Sequence, residues 1–317
     1  MDDLTLQVSA SIGVTFFPQH QGIDADHLLR QADQAMYQAK LEGKNRYKIF
    51  DSAQDNSIRG HHESLERIRQ ALEQHEFVLH QPKVNMLSGQ VIGAEALIRW
   101  QHPVKGILSP FVFLPEIENH PFAVALGEWV IETALTQMAL WDAVGLNLPV
   151  SVNIGAYQLQ QNDFVDRLKL IIAKQVKPTR LELEMLETSA LSDMAQMSQV
   201  IEDCGQLGVQ FALDDFGTGY SSLTYLKRLS VTTLKIDQSF VSEMLTNADD
   251  LATLKGVIGL ARASKCKVIA EGVETVEQGS MLLQLDCKLA QGFGIARPMP
   301  PEQMPAWAGS WNPDTWS

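Results

Sequence analysis

The sequence is poor in cysteine and has no long apolar run. Its three cysteines, Cys204, Cys266 and Cys287, are odd in number and lack the close spacing of a zinc site, which argues for reduced thiols rather than disulfides. No apolar run approaches the roughly 20 residues that cross a membrane, and Met1-Asp2-Asp3 is not the basic start of a signal peptide. We therefore expect a cytoplasmic chain with no membrane segment, any anchor or sensory domain lying upstream.

Positive charge is also scarce. The 317 residues include 25 Lys and Arg against 38 Asp and Glu, a net charge of −13. This balance argues against binding to DNA or against a general nucleic-acid surface. An anionic substrate is still compatible with the sequence, because bound metal ions together with Lys235 and Arg99 would reverse the sign of the charge locally.

From Phe77 onward, short apolar runs alternate with segments of helical periodicity. The predicted strands are 77–84, 91–98, 149–154, 180–185, 209–213, 233–236, 267–270 and 288–291. Strands that alternate with helices favour a parallel sheet, and about eight such units favour a closed (β/α)8 barrel of the TIM type. An open, doubly wound sheet is the alternative. The fold class is α/β in either case.

One connection breaks the alternation. Only residues 85–90 separate the first two predicted strands, and Ser88-Gly89 marks a turn there. Parallel neighbours need a crossover of roughly a dozen residues or more, so these two strands should form an antiparallel hairpin. We therefore predict a barrel with one reversed strand.

Two adjacent carboxylates, Asp214 and Asp215, close an apolar run and precede a loop with Gly217 and Gly219. Carboxylates at the end of a buried strand are costly unless they are paired, and a divalent cation can take both. The alternative is that the acidic pair only starts a loop or caps a helix.

The same arrangement recurs at other strand ends. The polar residues near these ends are Glu95, Asn153, Glu184, Asp214, Lys235 with Asp237, Glu271 and Gln291. Each alone is typical of a loop start or a cap, but in a parallel barrel these ends converge on one face, where active sites are built. Oxygen ligands without His or Cys suit Mg²⁺ or Mn²⁺ and disfavour zinc.

Together, these motifs resemble the EAL family of cyclic di-GMP phosphodiesterases over about residues 65–300. The motifs that carry the resemblance are Glu95-Ala96-Leu97-Ile98-Arg99-Trp100, Val152-Asn153-Ile154, Leu183-Glu184-Met185-Leu186-Glu187, Asp214-Asp215-Phe216-Gly217-Thr218-Gly219, Leu234-Lys235-Ile236-Asp237, Ala270-Glu271-Gly272-Val273-Glu274 and Gln291-Gly292-Phe293. Gly155 and Leu186 depart from the family pattern, which commonly has Ser and Thr there. Neither position is a ligand in that pattern.

The resemblance implies a barrel that holds two divalent cations, Mg²⁺ or Mn²⁺. By position, the first cation's ligands are Glu95, Asn153, Glu184 and Asp214, and the second cation's are Asp214, Asp215 and Glu271. Lys235 matches the lysine that contacts the attacking water and, with Glu271, is assigned to catalysis. Gln81, Arg99, Asp237 and Gln291 match substrate-site residues, with Gln291 near the metal-bound solvent. Glu187 and Glu274 match residues that support the loops.

The function implied is metal-dependent hydrolysis of cyclic di-GMP to linear pGpG. One alternative is a catalytically silent EAL module that binds cyclic di-GMP as a receptor. Another is a two-metal hydrolase for a different phosphodiester. For Lys235, the alternative to a catalytic role is a snorkelling or salt-bridged lysine. A homodimer through the EAL barrel is a further expectation.

The first fifty residues resemble the last part of a GGDEF domain. Strands are predicted at 4–9 and 11–14 and a helix at 26–42, but the defining Gly-Gly-Asp/Glu-Glu-Phe motif is absent, which excludes a cyclase. The predicted organisation is a GGDEF remnant at 1–50, a linker at 51–76 with a helix at 57–75, the EAL barrel at 77–306 and a tail at 307–317. We interpret the chain as a piece of a longer GGDEF–EAL protein with upstream domains. A degenerate domain that packs on the barrel is the alternative.

Overall fold

The computed structural model describes residues 9–18, 25–41, 43–50, 52–80, 83–86, 88–174, 180–191, 193–217, 226 and 228–312. The chain divides into two compact units, Met1–Arg67 and Ile68–Ser317. Among the described residues, no helix has both the length and the apolar character that a membrane span needs.

The first unit contains a small parallel sheet and a helix. Strands β1 (Ile12–Val14) and β2 (Tyr47–Ile49) pair with each other, and helix Ala25–Leu41 buries Ala35 and Ala39. The helix matches its prediction within one residue at each end, whereas β2 was not predicted. Most of the strand predicted at 4–9 lies outside the described residues. The next helix, Ser52–Glu73, begins five residues before the predicted start at 57.

The second unit is built on strands and surrounding helices. The strands are β3 (Phe77–His80), β4 (Lys83–Asn85), β5 (Val91–His102), β6 (Gly106–Leu108), β7 (Val150–Asn153), β8 (Leu181–Leu186), β9 (Gln210–Phe216), β10 (Thr233–Ile236), β11 (Lys267–Ala270) and β12 (Leu289–Ala290). The helices are Phe122–Ala143, Ala156–Leu159, Phe164–Ala173, Glu187–Leu191, Met194–Gln206, Gln238–Glu243, Ala248–Ser264, Val276–Gln284 and Met304–Ser310.

Eight of these strands close a barrel, in the order β4-β12-β11-β10-β9-β8-β7-β5, because β5 pairs with both β7 and β4. Seven strands run parallel, and β4 is antiparallel to both of its neighbours. The predicted closed barrel with one reversed strand is confirmed, and the open sheet is excluded. Strands β3 and β6 extend the sheet by pairing antiparallel with β5.

The fifth predicted strand is longer than expected. It was placed at 209–213, with Asp214 and Asp215 beyond its end, but β9 continues to Phe216. The backbone of β9 still pairs with β8 at this level, where Asp214 lies opposite Leu186. The pairing of β9 with β8 therefore extends past the apolar residues of β9, and the two carboxylates lie inside the strand.

The core lies between the barrel and its helices. Leu183, Leu213 and Leu234 on neighbouring strands are 0% exposed, as expected for parallel strands covered on both faces. Helix Phe122–Ala143 buries Val124, Leu126, Val130, Ile131, Ala134, Leu135, Met138 and Trp141. This scaffold fixes the strand ends on which the candidate site is built.

Candidate active site

Five carboxylates converge where the parallel strands of the barrel end. They form two overlapping triads, Glu95 with Glu184 and Asp214, and Asp214 with Asp215 and Glu271. Within each triad, one oxygen from each residue lies within 4.8 Å of the others. Asp214 belongs to both triads, so the geometry offers two adjacent cation sites that share one carboxylate.

Glu95 is held in place by two amides, one at the end of β7 and one in the loop after β12. Asn153 Nδ2 donates to Glu95 Oε1 at 2.7 Å, and Gln291 Nε2 donates to Glu95 Oε2 at 2.7 Å. Asn153 itself pairs with Glu184 in the β7–β8 register. Barrel closure thus brings together side chains that are up to 196 residues apart in sequence.

Adjacent residues of a strand normally point to opposite faces. Asp214 and Asp215 nonetheless both contribute to one triad, because Asp215 has a left-handed backbone with φ of +51°. The N–H of Asp215 donates to Asp214 Oδ1 at 3.1 Å. The turn continues at Gly217, with φ of +107°, and the N–H of Gly217 donates to Glu187 Oε2 at 3.0 Å.

The loops that carry Glu271 and Gln291 are packed directly against each other. The N–H of Val273 donates to the carbonyl of Gln291 at 3.1 Å. A Cβ on Gly292 would lie 2.2 Å from the backbone N and O of Val273, so only glycine permits this approach. The glycine next to Gln291 therefore allows the two loops to pack in direct contact.

Lys235 is the centre of the cluster. Its side chain is 1% exposed, and its Nζ lies 2.7 Å from Glu184 Oε2, 2.7 Å from Glu271 Oε1, 3.1 Å from Asp214 Oδ1 and 3.5 Å from Glu95 Oε2. Burial lowers the pKa of Lys235, but the surrounding carboxylates, Glu184 foremost, outweigh it and raise the pKa well above the ordinary value. Lys235 is therefore a fixed cation in contact with both triads.

A second buried lysine, Lys83, was not among the predicted site residues. It lies on β4 with 3% of its surface exposed, and its ammonium contacts Glu184 Oε1 and Ser151 Oγ. In the sequence it is one charged residue near the end of the apolar run 77–84. The available signal was its place in a predicted barrel strand, where a buried charge needs a partner.

The cluster has more negative than positive charge, with five carboxylates against the two ammonium groups of Lys83 and Lys235. Burial raises the pKa of Glu271 to about 8, and burial together with Asp214 raises that of Asp215 to about 6. Burial and the nearby Glu184 also raise the pKa of Glu95. Crowded carboxylates with raised pKa values are a suitable environment for additional cations.

One buried oxygen supports the same conclusion. Gln291 Oε1 is buried, and within the described part of the chain no donor reaches it. All candidate ligand atoms are carboxylate or amide oxygens, which is the donor set that Mg²⁺ and Mn²⁺ prefer. The residues present therefore fit divalent cations.

The remaining predicted residues lie around this cluster or outside the described part. Gln81 lies outside the described residues. Arg99 is partly buried, four residues after Glu95 on β5, and its Nη1 donates to the carbonyl of Ile98 at 2.8 Å. Asp237 caps helix Gln238–Glu243 by accepting from Ser239 N at 2.9 Å, and it contributes to the raised pKa of Asp215. Glu274 is exposed.

Two family models match the chain. The model described as EAL domain matches residues 65–298, and the model described as diguanylate cyclase, GGDEF domain, matches residues 1–46.

Curated relatives match over nearly the whole chain. The bifunctional diguanylate cyclase/cyclic di-GMP phosphodiesterase MucR of Pseudomonas aeruginosa is 40% identical over 94% of this chain and 44% of its own length. The cyclic di-GMP phosphodiesterase PdeR of Escherichia coli is 34% identical over 96% of this chain and 46% of its own length. The chain thus spans less than half the length of these relatives.

A solved structure shares the fold. The structure titled PaMucR phosphodiesterase, c-di-GMP complex, has a TM-score of 0.73 and 42% identity, and it covers 76% of this chain and 99% of its own.

Proposed function

The chain belongs to the EAL domain family, and from this premise we propose that it hydrolyses cyclic di-GMP to linear pGpG with the help of two divalent cations. The observation that carries the proposal is the pair of carboxylate triads that share Asp214. The relatives MucR and PdeR, named as cyclic di-GMP phosphodiesterases, support the choice of substrate.

The first cation would be held by Glu95, Asn153, Glu184 and Asp214, and the second by Asp214, Asp215 and Glu271. Bound there, Mg²⁺ or Mn²⁺ would lower the pKa of a water molecule and offset charge on the phosphodiester. Asn153 requires an adjustment for this role, because its amide nitrogen faces Glu95 in the structure. A rotation of the side-chain amide presents its oxygen instead.

Lys235 supplies preorganised positive charge between the two triads. Its ammonium is protonated over the physiological range, because the carboxylates hold its pKa above the ordinary value. In the proposed reaction it orients the attacking water and stabilises negative charge that develops on the phosphodiester oxygens. Its ion pairs with Glu184 and Glu271 fix it in place before the substrate arrives.

Arg99, Gln81, Asp237 and Gln291 are proposed to contact the substrate side of the site. The guanidinium of Arg99 suits a phosphate by its planar fork of donors. Gln291 connects the two parts of the site, since its Nε2 fixes Glu95 while its Oε1 is left for water or substrate.

A silent receptor is the competing function. Such a module would lose one or more cation ligands, and both triads are complete in this chain.

We also propose that residues 1–50 are a GGDEF remnant, that 51–76 link it to a barrel at 77–306, and that 307–317 are a tail. The match of residues 1–46 to the GGDEF model supports the first of these assignments.

The deciding experiment is incubation of the purified chain with cyclic di-GMP and Mg²⁺ or Mn²⁺, with chromatographic detection of pGpG. A parallel sample with EDTA controls for metal dependence, and a panel of other phosphodiesters tests specificity. Binding of cyclic di-GMP without pGpG formation would favour the receptor. Hydrolysis of another phosphodiester in preference to cyclic di-GMP would favour a different two-metal hydrolase.

A further inference from the structure

Lys83 lies nearer the start of the parallel strands than the first triad does, because it pairs with Gly93, two residues before Glu95 on β5. It projects from the reversed strand β4, and its side chain is 4% exposed. The ammonium contacts Ser151, two residues before Asn153 on β7, and Glu184 on β8. The proposed reaction uses none of its donors on substrate or water, so its burial calls for another explanation.

The two oxygens of Glu184 are held by different lysines. Lys83 contacts Oε1, whereas Lys235 Nζ lies 2.7 Å from Oε2. Lys235 also reaches Asp214 and Glu95, so Oε2 faces the other members of the triad. The Glu184 carboxylate is thus fixed between two ammonium groups, one of which also contacts the rest of the triad.

We propose that Lys83 is a positioning residue and internal counter-ion of the first cation site. Its ammonium orients Glu184 before a cation binds, and its positive charge weakens the binding of a cation at that site. The inference rests on the cation site of the proposed function. Glu184 is fully buried and pairs with both Lys83 and Lys235, and removal of one partner from a buried ion-pair cluster is destabilising. The same fixed charge repels an incoming divalent cation, and repulsion is strong where water is excluded.

Lys83 is placed to act as a charge partner of Glu184, because its buried ammonium contacts the carboxylate directly and also contacts Ser151 Oγ. A lysine that serves only to fill space would be replaceable by methionine with no effect on cation affinity. A counter-ion would not, and this difference is measurable without any catalytic assay.

The experiment compares the unaltered chain with Lys83→Met and Lys83→Arg, and uses Lys267→Met as the matched control, since Lys267 is an exposed lysine at the start of β11. Mn²⁺ affinity is measured by calorimetry, and thermal unfolding is followed with and without Mn²⁺. We expect Lys83→Met to bind Mn²⁺ at least about tenfold more tightly at one site, because a like charge has been removed. It should also melt lower without Mn²⁺ and recover part of the loss with Mn²⁺. Lys83→Arg and Lys267→Met should resemble the unaltered chain.

Unchanged or weaker Mn²⁺ affinity in Lys83→Met would overturn the inference and leave the proposed function intact. Failure of the unaltered chain to bind Mn²⁺ would overturn the cation site itself, and the inference with it. If Lys83→Met does not fold, the double variant Lys83→Met/Glu184→Gln is compared with Glu184→Gln by thermal unfolding. It should melt higher than Glu184→Gln alone, since it removes a buried ammonium that has lost its carboxylate partner. A lower melting temperature would contradict the counter-ion role.

Discussion

Glu187 Oε2 accepts a hydrogen bond from the backbone N–H of Gly217 at 3.0 Å. Glu187 is 1% exposed and follows directly after β8, whereas Gly217 begins the turn after β9. The contact therefore joins the strand that carries Glu184 to the turn two residues beyond Asp215. It is the structural basis for the proposed loop-supporting role of Glu187.

Replacement of Glu187 by alanine should lower pGpG formation or Mn²⁺ affinity about 10- to 100-fold, the scale for loss of a residue that orients metal ligands. Glu187→Gln keeps an acceptor oxygen and should lose less. Glu202→Ala, at an exposed glutamate of helix Met194–Gln206, is the matched control. Full activity and full Mn²⁺ affinity in Glu187→Ala would show that the turn is held by other contacts.

Asp214→Asn should abolish hydrolysis of cyclic di-GMP, because the residue belongs to both triads. The protein should stay folded. In metal-free buffer, the variant should melt no lower than the unaltered chain. One of five crowded carboxylates has lost its charge, and Lys235 keeps its ion pairs with Glu184 and Glu271. Asp249→Asn, at an exposed aspartate, is the control for the substitution itself. Near-normal pGpG formation by Asp214→Asn would contradict the proposal of two cation sites that share Asp214.

Lys235→Ala should lose about two orders of magnitude or more in turnover, the scale for removal of a preorganised electrostatic contact. Binding of cyclic di-GMP in the presence of metal should survive, because the lost contact acts mainly in the transition state. Calorimetry with cyclic di-GMP, alongside the pGpG assay, separates the two effects. Lys235→Met keeps the bulk of the buried side chain and controls for a cavity.

Two results would change the role assigned to Lys235. Loss of binding in step with activity would make it a substrate or structural residue, in line with its buried ion pairs to four carboxylates. Unchanged activity would place it outside the reaction.

The chain should make no cyclic di-GMP from GTP, with or without Mg²⁺. Its GGDEF match covers residues 1–46 and lacks the Gly-Gly-Asp/Glu-Glu-Phe motif. Chromatography of a GTP incubation measures this directly, with a complete diguanylate cyclase as the positive control. Any synthesis of cyclic di-GMP would mean that the first fifty residues have been misinterpreted.

Several features of this protein could be predicted from the sequence because they depend on neighbouring residues. Apolar runs that alternate with helical periodicity predicted the closed barrel, and the short connection at 85–90 predicted the reversed strand. The placement of Glu95, Asn153 and Asp214 near strand ends was enough to expect them on one face. Parallel strands end at the same edge of a sheet, so this expectation needs no knowledge of the register.

The contacts within the site depended on the tertiary structure. The pairing of Lys83 with Glu184 joins residues 101 positions apart, on strands that are not neighbours, and follows only from closure of the barrel. The convergence of Asp214 and Asp215 required the left-handed backbone at Asp215, which the alternation of a strand does not predict. Sequence patterns specify which residues lie near an edge of the sheet, whereas the register between strands and the burial of each charge decide which side chains touch.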